Sequence, residues 1–232
     1  MKNFTILIFV FFVQYLSAQD YVVEERFDPE NYDGDSIRFT DFSFITGWGN
    51  FINNDLLNEY IEPFGSNFFE FRYQYYLRFF KGCEFVIGSG YNFEAFKLKD
   101  DSSTLYLDSV FHEKRKLRFQ NITTNLGLKF YAKNNNRISS FLQLGIYYDF
   151  GTRSSYITWD EVNDMKFKSR IAKLKFINPN NYGVEIRLGY SQMSGFFRYR
   201  LTNRIKDVAG YSFLPLINFG IQIDVPIEEG SY

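Results

Sequence analysis

The sequence contains little of what most enzymes and disulfide-bonded proteins depend on. It has one cysteine, one histidine and five prolines in 232 residues. The single Cys83 excludes an internal disulfide, and one histidine with one cysteine excludes the usual zinc ligand sets. We therefore predict no metal, no other cofactor and no enzymatic activity.

An excess of charge of one sign is also absent, because 26 Lys and Arg residues face 27 Asp and Glu residues. A net charge of -1 creates no overall field that would attract nucleic acid, and none is expected as a partner. The only histidine, His112, lies in the charged run HEKRK. We expect it to be a solvated loop side chain rather than a catalytic base.

Aromatic residues, by contrast, are abundant at 21%, with 29 Phe and 18 Tyr. Phe69–Phe79 reads FEFRYQYYLRF, in which aromatic or aliphatic side chains alternate with mostly charged or polar ones. This period of two indicates a β-strand with an apolar and a polar face. The same pattern predicts eight strands, near residues 39–51, 68–80, 84–96, 119–131, 138–150, 182–190, 196–202 and 214–225.

The connections between these strands alternate in length. Residues 81–83, 133–137 and 191–195 form tight turns, whereas 52–67, 97–118 and 151–181 form long loops and 203–213 an intermediate one. Short turns at one end and long loops at the other are typical of outer-membrane barrels. The fold class is therefore predicted to be all-β, an eight-stranded antiparallel up-and-down transmembrane β-barrel.

Glycine positions predict which strand face lies inside. All the glycines within the predicted strands fall on the polar face: Gly47, Gly49, Gly88, Gly90, Gly127, Gly145, Gly183, Gly189 and Gly220. Inside a narrow barrel, side chains crowd toward the axis and glycine makes room for them. The interior is thus predicted to be polar and filled by side chains, with the apolar face toward lipid. A lipocalin-like soluble barrel, with aromatic residues inside, is the disfavoured alternative.

Acidic and basic residues occur in equal numbers on this polar face, as a barrel filled with ion pairs requires. The predicted interior charge network consists of Glu70, Arg72, Arg78, Glu84, Glu94, Lys129, Asp149, Glu185, Arg187, Arg198, Arg200 and Asp224. Such a network leaves no sizeable pore in a barrel of eight strands.

The first residues read MKNFTILIFVFFVQYLSAQD. Lys2, a short apolar run and the small residues Ser17 and Ala18 predict a signal peptide over 1–18. Residues 19–35 are then an acidic periplasmic tail, 36–227 the outer-membrane barrel and 228–232 a C-terminal tail. Beyond the signal, no apolar run reaches the roughly 18 residues that a membrane helix needs.

Basic residues of the long loops are the candidate for binding lipopolysaccharide or a protein partner. They are Arg115, Lys116, Arg153, Lys166, Lys168, Arg170, Lys173 and Lys175. A merely solvated basic loop is the alternative. The alternating segment IAKLKF, residues 171–176, is expected to extend the sixth strand and to offer an edge for strand addition.

Several segments resemble one known family. KLRFQNITTNLGLKFY, FLQLGIYYDFGTRSSY, INPNNYGVEIRLGY, FFRYRLTN and YSFLPLINFGIQIDV, which together lie within residues 39–225, resemble the PorT-like outer-membrane β-barrel proteins of Gram-negative bacteria. The resemblance implies the outer membrane and an eight-stranded barrel. The expected function is a structural or interaction role, with membership of an outer-membrane secretion or assembly complex as one hypothesis. A narrow channel and an outer-membrane enzyme are the alternatives.

Overall fold

The structure is a computed structural model, and it describes residues 38–49, 61–80, 82–98, 112–132, 140–206, 214 and 216–227. The predicted signal peptide, the acidic tail and the C-terminal tail lie outside these residues. The described part of the chain contains β-strands and no helix. It accordingly holds no helix with the length and apolar character needed to cross a membrane.

The described strands are nine in number. They are β1 (Arg38–Gly49), β2 (Ile61–Phe80), β3 (Cys83–Leu98), β4 (Lys114–Tyr131), β5 (Ser140–Val162), β6 (Met165–Ala172), β7 (Asn180–Tyr190), β8 (Met193–Arg200) and β9 (Ile217–Pro226). Eight of them, all except β6, close into a ring in which every pairing is antiparallel. The predicted all-β fold and eight-stranded antiparallel barrel are confirmed.

The ring closes with a shift along the strands. Starting at Gln120 of β4 and stepping through successive paired residues around the barrel, the path returns to β4 at Phe130. This displacement requires the strands to tilt against the barrel axis, by about 40° for eight strands.

The barrel has two different ends. At the turn end, Gly82 and Ser191 adopt positive φ angles of 88° and 53° in the tight connections β2–β3 and β7–β8. The strand termini Arg38 and Pro226 lie at this end as well. The opposite end, called the loop end below, carries the longer connections.

Several predicted loops at the loop end are in fact strands. β2 begins at Ile61, β4 begins at Lys114, and β5 continues to Val162, so all three extend beyond the predicted strands. β5 turns at Asn163 and Asp164, whose φ angles of 52° and 60° suit a two-residue hairpin, and returns as β6. The β4 extension was missed because its apolar residues, Leu117 and Phe119, lie on the opposite face from those of the barrel below.

The prediction that IAKLKF extends the sixth strand is wrong. Ile171 and Ala172 end β6, which pairs with β5, and Lys173 breaks the strand with a φ of 58°. The tight turn predicted over 191–195 is also shorter than expected, because β8 already begins at Met193. Gly195 therefore lies in a strand, and on its exposed face, unlike the glycines on the polar face.

Burial alternates along the barrel strands. On β7, Arg187 is buried, whereas its neighbour Leu188 is 64% exposed. On the buried side, Gly47 of β1 and Gly220 of β9 are directly paired. A methyl group on Gly220 would lie 2.9 Å from the Phe196 ring and against the Thr46 carbonyl oxygen. Glycine here lets a large aromatic side chain pack over the backbone.

A separate apolar core lies at the loop end. It joins the loop-end parts of β2, β3, β4 and β5 to the segment that precedes β7 and to the segment that follows β8. Its buried members are Ile61, Phe96, Leu98, Leu117, Phe119, Tyr156, Leu174, Ile177, Ile205 and Leu214. An antiparallel bridge between Ile177 and Ile205 ties two of these segments together. This core holds the loop-end structure in place above the barrel.

Candidate functional site

Four buried charges from three strands form a closed set of ion pairs. Arg72 Nε lies 2.5 Å from Glu70 Oε1, and its two terminal nitrogens lie 3.1 and 3.2 Å from the carboxylate oxygens of Glu185. Arg198 pairs with the same two acids, with Nη1 at 2.7 Å from Glu70 Oε2. β2 and β7 lie on opposite sides of the ring, so these bonds cross the barrel.

A second network lies nearer the turn end. Arg187 Nη2 donates to Asp224 Oδ2 at 2.8 Å, and its Nη1 donates to Gln143 Oε1 at 3.0 Å. Ser43 donates to the other oxygen of Asp224 at 2.7 Å. Buried Lys129 points at an aromatic ring, with its Nζ 4.2 Å from the centre of Phe141.

A third group lies toward the loop end, and its central cation was missed by the sequence analysis. Arg204 is buried, with Nη2 2.9 Å from Glu94 Oε2 and Nη1 donating to Asn121 Oδ1 at 3.1 Å. Asp149 accepts hydrogen bonds from Asn92 and Thr123 in the same group. Arg204 falls in a connection between strands, where alternation gives no signal.

The structure brings most of the predicted interior charges together. All of them are buried except Arg78, whose side chain lies outside the described part. Glu84 accepts a hydrogen bond from Tyr131, and Arg200 donates to the Leu214 carbonyl at 3.2 Å. The charges therefore form several local groups along the barrel rather than one continuous network.

Both faces of β4 change polarity at the same place. On the exposed face, Lys114, Lys116, Arg118 and Gln120 give way to Ile122, Thr124, Leu126, Leu128 and Phe130. On the buried face, Leu117 and Phe119 give way to Asn121, Thr123, Asn125 and Lys129. On β4 the outward face is thus apolar only below Gln120, and the buried face, apart from Arg115, is apolar only above Asn121.

The same boundary recurs around the barrel. The outward residues Asn67, Gln120, Thr152 and Asn180 each end the apolar outward run of their strand. The Tyr148 hydroxyl donates to Asn180 Oδ1 at 2.9 Å. The Tyr148 ring thus belongs to the apolar outward run, and its hydroxyl group contacts a boundary residue. From Ile122 to Phe130 the apolar band spans about 20 Å along the axis, at ~3.3 Å per residue and a tilt of about 40°.

Above this band, β3 to β6 carry a basic outer surface. Its members are Lys97, Lys114, Lys116, Arg118, Arg153, Lys166, Lys168 and Arg170. Lys97 pairs with Glu62, and Lys116 and Arg118 have no acidic partner among the described residues. Partial burial lowers the pKa of Lys116, and the charges of Arg118 and Lys97 lower it further.

The predicted basic loop set is divided by the structure. Lys116, Arg153, Lys166, Lys168 and Arg170 belong to the basic outer surface just described. Arg115 does not, since strand alternation places it on the opposite face of β4 from Lys116, where it is buried. Lys173 and Lys175 lie in the segment between β6 and β7, on a different part of the loop end.

The expectation of a solvated His112 is wrong. This side chain is 8% exposed, and its Nδ1 lies 2.8 Å from Asp160 Oδ2. The extension of β5 beyond the barrel brings Asp160 to it, and that extension was not predicted. Among the described residues, no group of three or more His, Cys, Asp or Glu side chains is placed to hold a metal ion.

No model of a known protein family matches the chain, and no curated protein sequence matches it.

Proposed function

We propose that this protein is an outer-membrane β-barrel of a Gram-negative bacterium with a structural or interaction role. The observation that carries the proposal is the reversal of polarity on both faces of β4 at Gln120. An outward apolar band flanked by polar residues suits a wall in contact with lipid, because a barrel satisfies all its backbone hydrogen bonds internally. A soluble lipocalin-like barrel would bury this face, yet Ile146 is 58% exposed.

In this proposal the barrel interior is polar and filled. The ion pairs of Arg72 and Arg198 with Glu70 and Glu185 cross the barrel and occupy its middle. The Ile45, Phe68 and Phe196 side chains pack together beside them. A lumen blocked by salt bridges and rings supports a structural or interaction role over a channel, and planar-bilayer recordings of the purified protein should show no steady conductance.

The basic outer surface is proposed to contact anionic headgroups of the outer leaflet. Lys97, Lys116 and Arg118 lie on the outer wall just above the apolar band, where the phosphates of lipopolysaccharide would be. Lysine and arginine bind such phosphates through charge-assisted hydrogen bonds. Replacing Lys116 and Arg118 with glutamine should weaken the retention of lipopolysaccharide during purification, and unchanged retention would contradict this assignment.

Tryptophan fluorescence tests the membrane assignment directly, because the chain has only two tryptophans, Trp48 and Trp159. Trp48 is exposed on the outer wall within the apolar band, whereas Trp159 lies on β5 well above Thr152. After reconstitution into vesicles of brominated phospholipid, a Trp159→Phe variant should lose most of its fluorescence and a Trp48→Phe variant should keep it. Equal quenching of both variants would contradict the proposed position of the bilayer.

The broader role is proposed from the PorT-like resemblance together with this architecture. Gentle detergent extraction of the tagged protein should show whether it belongs to a secretion or assembly complex. Reproducible co-purification of such a complex would support the interaction role. Purification as a single barrel would favour a role limited to lipid contact and the cell surface.

A further inference from the structure

A cavity of about 330 Å³ opens at the loop end, beside the point where β5 leaves the barrel. Residues 151–154 of β5 form one wall, and the segment 173–179 between β6 and β7 forms another. Arg204 and Lys206 complete it. Its volume lies at the lower end of the range for small-molecule sites. Apart from Arg153, none of its lining residues belongs to the basic outer surface.

The mouth of this cavity is positively charged. Arg153, Lys173, Lys175 and Lys206 line it and are all exposed, and the described residues of its lining include no aspartate or glutamate. None of these four side chains has an acidic partner among the described residues. Four cations around one opening, with no acid among the described residues that line it, attract an anion of more than one charge.

The inner part of the cavity is different in character. Phe119, Leu174 and Ile177 are buried and apolar, and they belong to the loop-end core. Buried Arg204 also lines it, with its Nη2 on Glu94 and its Nη1 on Asn121, so that its charge is already paired. The inner part therefore suits an apolar group, whereas the exposed cations at the mouth suit a charged one.

The walls are held in place by backbone hydrogen bonds. Gly151 N donates to the Pro179 carbonyl oxygen at 2.6 Å, and Lys173 N donates to that of Ser154 at 3.0 Å. Lys206 N donates to the Phe176 carbonyl oxygen at 2.8 Å. The cavity is therefore formed before any ligand binds, so that binding does not have to order its walls.

From these observations we propose that the cavity binds a small organic phosphate, with the phosphate at the basic mouth and an apolar group on Phe119, Leu174 and Ile177. A phosphate dianion suits the number of cations, and the apolar floor selects against inorganic phosphate. The cavity lies beyond the apolar band, so this inference does not rest on the membrane proposal.

Isothermal titration of the full chain, refolded in detergent micelles, tests the proposal with phenyl phosphate as the probe. Saturable binding is expected, with weaker binding of inorganic phosphate and of benzyl alcohol. Replacing Arg153 and Lys206 with glutamine should weaken the binding of phenyl phosphate by about fivefold to tenfold. A matched variant, Lys168→Gln with Arg170→Gln, removes the same charge from β6 outside the cavity and should change affinity less than about twofold.

Three results would overturn the proposal. The first is the absence of saturable binding of phenyl phosphate. The second is an equal loss of affinity in the two double variants, because that would show only an effect of the total positive charge at the loop end. The third is binding of inorganic phosphate, benzoate or benzyl alcohol as tight as that of phenyl phosphate. The position of the bilayer, tested by tryptophan quenching, can fail without affecting any of these measurements.

Discussion

An arginine in the middle of the outer wall provides the strongest test of the barrel's surroundings. Ile146 lies on β5 about halfway along the apolar band and is 58% exposed. Its paired neighbours on the two adjacent strands are Leu126 and Val184, both exposed and apolar, so an arginine placed here would have no acid to contact. The Ile146→Arg variant therefore isolates the cost of placing a charge on this wall.

The magnitude follows from the position. Ile146 lies about 15 Å along the axis from the boundary residue Thr152, at ~3.3 Å per residue and a tilt of about 40°. An arginine on the lipid face near the bilayer midplane costs about 2–4 kcal/mol, and one near the interface about 0–1 kcal/mol. On a surface in water, the same substitution would change stability by about 0.5 kcal/mol or less.

The assay is reversible denaturant unfolding in phospholipid vesicles, comparing Ile146→Arg with Thr152→Arg. Thr152 is exposed on the same strand above the band, so this control introduces the same side chain beyond the proposed lipid. The free energy of unfolding should fall by about 2–4 kcal/mol in the first variant and by less than about 1 kcal/mol in the second. Equal values, or an Ile146→Arg protein that is soluble without detergent, would refute the lipid-facing assignment.

Three further predictions concern packing, charge and the loop end. The first two are measured as changes in the free energy of unfolding, and the third as a rate of tryptic cleavage. Gly220→Ala forces a methyl group against Thr46 and should cost about 1–3 kcal/mol, whereas Gly195→Ala, with its nearest atoms at 3.9 Å, should cost less than about 0.5 kcal/mol. Glu185→Gln leaves two buried arginines short of a counter-charge and should cost about 3–5 kcal/mol. The control Glu161→Gln, at a largely exposed pair, should cost less than about 1 kcal/mol, and similar losses in both would contradict the buried network. His112→Ala removes a link to β5 and should accelerate tryptic cleavage of the β5–β6 hairpin, while unchanged cleavage would show that the link does not hold it.

The sequence was sufficient for the elements whose signal is local. Alternation with a period of two predicted every barrel strand, because successive side chains of a strand point to opposite faces whatever the tertiary structure. It failed for the extensions of β2 and β4, where apolar residues change to the other face, for that of β5, where they lie on both faces, and for β6. The Asn163-Asp164 pair, two residues that tolerate positive φ angles, is a weaker hairpin signal than the usual Asn-Gly or Asp-Gly pair.

What the sequence determined by itself was therefore the class of fold, the number of barrel strands and which residues share a face. The tertiary structure decided which partners meet. Arg72 and Glu185 are 113 residues apart and lie on opposite sides of the ring, so their pairing depends on the strand number and on the shift at closure. The same is true of Arg204 and of the cavity beside it, which exist only because connections far apart in the chain converge at the loop end.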